Sequence, residues 1–494
     1  MTIESTGPVV VQIGRGPTGT ALARHLLPAL PPGARYLVID RDPGAARLAF
    51  GTPEPTHLLN TRAGNSSLNR DDPDEFQRWL TTRAESDPAP EFPPRALYGR
   101  YVRDVFDHAV REARAAGVVV ELVSDSAVRI GRDGARTQVH CASGRVLDAD
   151  RVVTCLGMMA ASEPYPELVG HPSYFANAWP LPALPKGATV AVIGTRLTAV
   201  DVHLTLAARW HTGRVLLASR SGRLPRVRGA ETTAAVPHLQ RCVQLAVAAG
   251  TLSLADFGRA LVADVEAASV APPDWERILA GGPTTRGMLA ADLAEVDTGV
   301  KRGWQQVLNA AGPLCALAWQ LLGDRDRDEV LTRWMTPILV HGAPMPPPTA
   351  RRVLAGMDSG RLGVLAGLRS VRPLGRRFEL VTGHGRQEVD VVVNATGGGT
   401  DVAAMRSQPL VAAMLDDGLL TAHPLGGARI DVGTFEPLDA SGAPVRGIHL
   451  VGDLARGAML ITNDVGALVA QAAQAAGAIR AGMAATVLSR TGRP

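Results

Sequence analysis

The sequence predicts an α/β fold with two Rossmann-like dinucleotide-binding domains, the first discontinuous and the second carrying a helical insertion. Three observations lead there. The apolar run Val9-Val10-Val11-Gln12-Ile13 turns through Gly14-Arg15-Gly16-Pro17-Thr18-Gly19 into a helix-patterned stretch at 21–30, then returns as Tyr36-Leu37-Val38-Ile39 ending on Asp40. The same pattern recurs at 189–193, Gly194-Thr195-Arg196-Leu197-Thr198-Ala199 and 214–218. Near the C-terminus, Gly447-Ile448-His449-Leu450-Val451 is an apolar strand closing on Gly452-Asp453.

Each part of the opening unit has a physical task. Gly14 allows the tight turn, Gly16 lets the backbone approach a pyrophosphate, and Gly19 lets the helix lie close to the sheet. Pro17 and Thr18 begin the helix, whose free N–H groups and positive dipole end suit phosphates. Asp40 accepts hydrogen bonds from a ribose diol, and Arg41 follows it among the expected contacts.

In the second unit Arg196 replaces the middle glycine, where a side chain crowds the path of a pyrophosphate. A second dinucleotide therefore either binds differently, through Gly194, Thr195 and Thr198, or does not bind. Its second strand runs into Ser219-Arg220-Ser221-Gly222-Arg223. Arginines there, with no acid, are what a ribose 2′-phosphate requires, so a nicotinamide bound here is NADPH. The competing reading makes Arg196, Arg220 and Arg223 ordinary solvated charge.

The Gly452-Asp453 turn places a carboxylate for the ribityl hydroxyls of a flavin, with a following helix N-terminus for the pyrophosphate. Together with Asn394-Ala395-Thr396-Gly397, another strand-end turn, it selects FAD over NAD as the N-terminal ligand.

Composition bounds the rest. A chain of 494 residues is too long for one core, and the expected boundaries are 1–178 (first part of the FAD domain), 179–345 (NAD(P)-type domain, insertion at about 231–335) and 346–494 (second part of the FAD domain). With 51 basic against 47 acidic residues, nucleic acid is not an expected partner. Cys141, Cys155, Cys242 and Cys315 form no Cys-x-x-Cys pair, so neither a redox disulfide nor a metal site is expected. The polar lead at 1–8 leaves no space for a signal segment, and no apolar run reaches the ~20 residues that span a bilayer. The expected location is cytoplasmic, with no membrane anchor.

Between these landmarks, 50–60 reads as a turn-rich loop over a site, bearing His57 and Asn60. Helices are expected at 71–80 and from 93 to about 115, and strands at 118–123, 137–141 and 151–156. From 231 to about 333 the spacing is helical. Strands follow at 361–368, 378–381 and 389–393.

These landmarks, in this order, resemble two-dinucleotide-fold flavoproteins. His57-Leu58-Leu59-Asn60, Arg95-Ala96-Leu97-Tyr98-Gly99-Arg100-Tyr101, 194–201, Ser219-Arg220-Ser221-Gly222-Arg223-Leu224-Pro225, 304–334 and 452–461 look like the YdhS-like FAD/NAD(P)-binding family. More distantly the chain is similar to N-hydroxylating, NADPH-dependent flavin monooxygenases, some of which oxidise amino acids. The resemblance implies FAD contacts at Gly14, Gly16, Gly19, Asp40, Thr396, Gly397, Gly452, Asp453 and Ile461, and places His57 and Asn60 near the flavin edge. A histidine there holds or transfers a proton. The bland alternative is a packed side chain beside Leu58-Leu59. His423, shortly before the Gly452 turn, is a further catalytic candidate. Asn463 and Asp464 read better as helix caps than as substrate contacts.

The leading expectation is an FAD-dependent, NADPH-linked monooxygenase acting on a small polar molecule such as an amino acid or amine, with molecular oxygen as co-substrate. An oxidase or dehydrogenase reduced by its own substrate is the rival that Arg196 favours. A non-catalytic flavin-binding scaffold is the third. A homo-oligomer is compatible with all three.

Overall fold

The computed structural model describes residues 7–41, 49–83, 90–133, 136–160, 162–230, 234–269, 273–399 and 401–491. The polar lead at 1–6 and the start of the insertion at 231–233 lie outside them. The chain forms two units, one of 1–53, 61–160 and 398–494, the other of 54–60 and 161–397.

In chain order, β1 (Val9–Ile13) turns into α1 (Pro17–Leu26) and returns as β2 (Arg35–Asp40). Helices α2 (Glu75–Arg83) and α3 (Arg95–Ala115) lead to β3 (Val119–Ser124). An antiparallel ribbon of β4 (Ala127–Asp133), β5 (Arg136–Cys141) and β6 (Val146–Ala149) precedes β7 (Arg151–Thr154). The short β8 (Tyr174–Phe175) comes before β9 (Val190–Ile193), α4 (Leu197–Ala208) and β10 (Val215–Ala218). The helices α5 (Pro237–Ala249), α6 (Leu254–Ala268), α7 (Trp275–Ala280), α8 (Arg286–Asp297), α9 (Gly303–Leu321), α10 (Asp324–Glu329), α11 (Met335–Gly342) and α12 (Pro347–Asp358) follow. Then come β11 (Leu362–Leu365), β12 (Leu368–Leu374), β13 (Arg377–Thr382), β14 (Gly385–Val389) and β15 (Val391–Asn394). The chain closes with α13 (Val402–Arg406), α14 (Pro409–Asp416), β16 (Ile448–Leu450), α15 (Arg456–Met459) and α16 (Val465–Thr491).

The first unit is organised by a parallel sheet in the order β16-β7-β1-β2-β3. Its register aligns the strand ends: Ile13 faces both Ile39 and Thr154, and Thr154 faces Leu450. The residues that follow, Gly14, Asp40, Cys155 and the Val451-Gly452 turn, therefore share one carboxyl edge, where open α/β sheets bind ligands. Val10, Val11, Tyr36, Leu37 and Val38 are buried, as a strand covered on both faces requires. Helix α1 carries Pro17 at its start and packs on α16, whose Ala472, Ala475 and Ala476 are fully buried and allow close approach.

The second unit has its own parallel sheet, β11-β10-β9-β15-β8. Helix α4 is buried nearly all round from Ala199 to Leu206. The helical insertion has a separate core in which Leu239, Val265, Val307 and Ala311 join α5, α6 and α9.

Several elements differ from the sequence expectation. The strand expected over 361–368 is divided by Gly367, which at φ +71° turns the chain from β11 into β12. The helix expected from 71 begins at Glu75. The segment 346–397, expected with the FAD domain, groups with the second unit because β11 pairs with β10 and β15 with β9 and β8. The segment 54–60 groups there too.

Candidate functional site

The Gly14–Gly19 turn is built by three glycines under different constraints. Gly14 has φ +98°, and a Cβ on it would lie 2.4 Å from the Cys155 carbonyl oxygen. At Gly19 a Cβ would lie 2.2 Å from the Gly14 carbonyl oxygen, so only glycine lets α1 start so near the strand end. At Gly16 a Cβ meets nothing within 4 Å. That face is open and lies at the start of α1. Pro17 has no N–H, so Thr18 and Gly19 supply the helix-start donors.

Asp40 ends β2 beside this turn and accepts the Arg15 backbone N–H on Oδ2 at 2.9 Å. Arg41 is exposed. The Arg15 guanidinium lies over Phe106, 4.7 Å from the ring centroid, and 3.8 Å from Asp107.

The C-terminal turn arrives at the same place. Gly452 has φ +96°, and the space its Cβ would fill lies 3.6 Å from Thr18. Asp453 is buried. Its Oδ1 accepts from Arg456 Nε at 3.0 Å and from the Thr462 hydroxyl at 3.0 Å, while Oδ2 accepts a longer bond, 3.4 Å, from Met159 N–H. Oδ2 is thus the oxygen with capacity for a ligand hydroxyl. Arg456 and Thr462 escaped the sequence reading; their signal was only proximity to Asp453. Ile461, half-buried, donates its N–H to Met459 O, and its carbonyl accepts from Gln471. Its neighbour Leu460 takes φ +58°, an uncommon conformation for a branched residue. Asp464 caps α16 by accepting the Ala467 N–H.

His423 is half-buried in this unit, packed so closely that a Cβ on Gly457 would lie 2.5 Å from its ring. Its Nδ1 accepts the Leu425 N–H at 3.0 Å, a tautomer with the proton on Nε2.

In the second unit Gly194, at φ +132°, makes the tight turn, and a Cβ there would meet Ala395 O at 2.7 Å. The Asn394-Ala395-Thr396-Gly397 turn, expected at the FAD, thus borders the second glycine turn, because β15 lies beside β9. Asn394 Oδ1 accepts from the Thr396 N–H and hydroxyl, which fixes that turn from within, and Gly397 takes φ +93°.

Three expected contacts face elsewhere. The Thr195 hydroxyl is buried and donates to Arg223 O at 2.8 Å. Arg223 is buried, donating to the carbonyls of Ile278 and Leu279, which anchors it on α7. His57 is buried against α4, with Nε2 2.9 Å from the Thr205 hydroxyl and Trp179 at its edge. Its geometry is that of a packed side chain, since α4 offers it the Thr205 hydroxyl and, at 3.3 Å, the Asp201 carbonyl. Asn60 is half-buried nearby in sequence. Arg196, Arg220 and the helix-start Thr198 remain reachable, the two arginines exposed. Desolvation and the charge of Arg220 hold the Arg196 guanidinium below its ordinary pKa.

A family model described as FAD-NAD(P)-binding matches residues 11–159. The matched stretch includes the first glycine turn, Asp40 and β7. The fold extends further. An ornithine hydroxylase from Pseudomonas aeruginosa, in its reduced form, superposes at TM-score 0.55 and 14% identity over 97% of this chain and 100% of that one. An ornithine N-hydroxylase from Kutzneria sp. 744, with reduced FAD, NADP+ and L-ornithine, superposes at TM-score 0.50 and 15% identity over 96% and 99%. A flavin-containing monooxygenase from Stenotrophomonas maltophilia does so at TM-score 0.50 and 15% identity over 96% and 98%. At these identities the likeness is one of fold. No curated protein sequence matches the chain.

Proposed function

We propose that the protein is an FAD-dependent oxidoreductase, an NADPH-linked monooxygenase acting on a small polar molecule with an amino acid or amine nitrogen as the leading target. One observation carries the flavin half: a Cβ on Gly452 would lie 3.6 Å from Thr18, so the Gly452-Asp453 turn reaches the same glycine turn in which Gly16 leaves open space. The fold of ornithine hydroxylases supports the monooxygenase half, as does the resemblance to N-hydroxylating flavin monooxygenases.

In this reading Gly14, Gly16, Pro17, Thr18 and Gly19 receive the pyrophosphate, Asp40 and Arg41 the adenosine, and Gly452, Asp453 and Ile461 the ribityl chain. FAD, when bound, supplies electron transfer to oxygen. Asp453 is held ready by Arg456 and Thr462, so it needs no reorganisation to accept a hydroxyl. His423 is the first choice for holding a proton, on Nε2. Arg220, with Gly194 and Thr198, is assigned to NADPH.

Anaerobic mixing tests the reductant. NADPH bleaches the oxidised flavin absorbance in this reading, and NADH does so more slowly. A flavin that stays oxidised with both would remove the NADPH assignment. Arg196 at the middle glycine position and the inward turn of Arg223 favour a second reading, a flavoenzyme reduced by its own substrate. Substrate without nicotinamide would then bleach the flavin.

A further inference from the structure

Gln12 interrupts the apolar run of β1, and its side chain is fully buried. Its Nε2 donates to the Gly14 carbonyl at 2.8 Å, and its Oε1 accepts from the hydroxyl of Tyr36 on β2, also fully buried. A carbonyl is met only by the NH2 end of a primary amide. Oε1 is then the end that must be paired, and the phenol O–H pairs it. The relay runs in one direction, from Tyr36 through Gln12 to Gly14.

The Gly14 carbonyl and the Arg15 N–H belong to one peptide plane. The other pole of that plane is also held, since the Arg15 N–H donates to Asp40 Oδ2 at 2.9 Å. Gly14, at φ +98°, permits this orientation. Rotating the plane by half a turn would face the carbonyl toward the Asp40 carboxylate and would break both bonds.

We infer that Tyr36 and Gln12 are positioning residues, a buried relay that sets the Gly14–Arg15 peptide and one oxygen of Asp40 for the adenosine-pyrophosphate half of the coenzyme. The inference rests on the FAD reading above and deepens it. The relay lies beneath the turn, so its influence passes through the orientation of the peptide dipole. Burial pushes the Tyr36 phenol well above its ordinary pKa, so the donor proton stays in place at working pH.

The test titrates apoprotein with FAD and with ADP, for wild type, Tyr36→Phe, Gln12→Leu and the double variant, and records apoprotein Tm. Tyr36→Phe is expected to weaken FAD and ADP alike by about tenfold. In the Gln12→Leu background it should add little, because the relay is already broken. A lowered apoprotein Tm with unchanged FAD and ADP affinity would mean a merely structural pair and would overturn the relay while leaving the flavin reading intact. Should Gln12→Leu not fold, Tyr36→Phe, which removes one oxygen atom, decides by the same criterion. A wild-type protein that takes up neither FAD nor ADP overturns the flavin reading and the relay together.

Discussion

A methyl group added at Gly14 or Gly19 would press on a backbone carbonyl, whereas one added at Gly16 would enter open space. The three substitutions therefore separate by readout. Gly14→Ala is expected to lose about 1–3 kcal/mol of stability, from a clash and a strained φ. Gly16→Val should leave Tm nearly unchanged and abolish FAD retention, because only the ligand uses that space. Equal thermal losses in both variants would show that Gly16 is a folding residue. Buried histidines contribute to the pH response, among them His203, His211, His341 and His449. Burial lowers His203 and His341 from 6.5 to about 4, with the nearby Arg226 and Arg223 charges adding to the effect on His341. Below 6.5 the unfolded chain binds protons that the folded chain refuses, so stability rises with pH across this window. Tm should accordingly fall as pH drops from 6.5 toward 4, and His341→Gln should flatten that slope. A slope identical to wild type would contradict the burial argument.

Among the elements, the link between the second glycine unit and its insertion is a buried ion cluster. Asp292 on α8 accepts from Arg226 Nη2 at 2.8 Å and pairs with the almost fully buried Arg302 at 2.7 Å. Burial alone would raise the Asp292 carboxyl, yet the Arg226 hydrogen bond and both arginine charges hold it below its ordinary value. Asp292→Ala removes the anion that Arg226 and Arg302 share, leaving Arg302 with Glu295 alone, and is expected to cost about 3–5 kcal/mol in denaturant unfolding, against under about 1 kcal/mol for removing the exposed Arg286–Asp358 pair. Comparable losses would show that burial does not govern the pair. Nothing in the sequence pairs residue 226 with residue 292, because an ion pair carries no periodicity. The apolar strands and the amphipathic α3, α6 and α9 were legible, since period and glycine punctuation are local signals. The strands β4, β6 and β14 of the antiparallel sheets were not, since they are defined by their partners.

For the whole molecule, the two glycine corners and the Gly452-Asp453 turn were readable because each needs a particular backbone, and glycine is its trace. Sheet membership was not readable: β15 joins β9 through pairing, so Thr396 and Gly397 border the second corner. Side-chain direction was equally hidden. Arg223 looks like a phosphate ligand until Ile278 and Leu279 supply carbonyls for it, and His57 looks catalytic until Thr205 supplies a hydroxyl. Gln12 was visible as a polar residue within an apolar strand, and its meaning emerged only with Tyr36 opposite. The central claim is that the first glycine corner and Asp453 hold FAD. The most direct measurement is the absorbance spectrum of purified protein incubated with excess FAD and desalted, with the coenzyme released and identified. The account predicts a stoichiometric yellow complex that releases FAD, and that Gly16→Val cannot form; a colourless wild-type protein, or one that retains only a nicotinamide nucleotide, would contradict it.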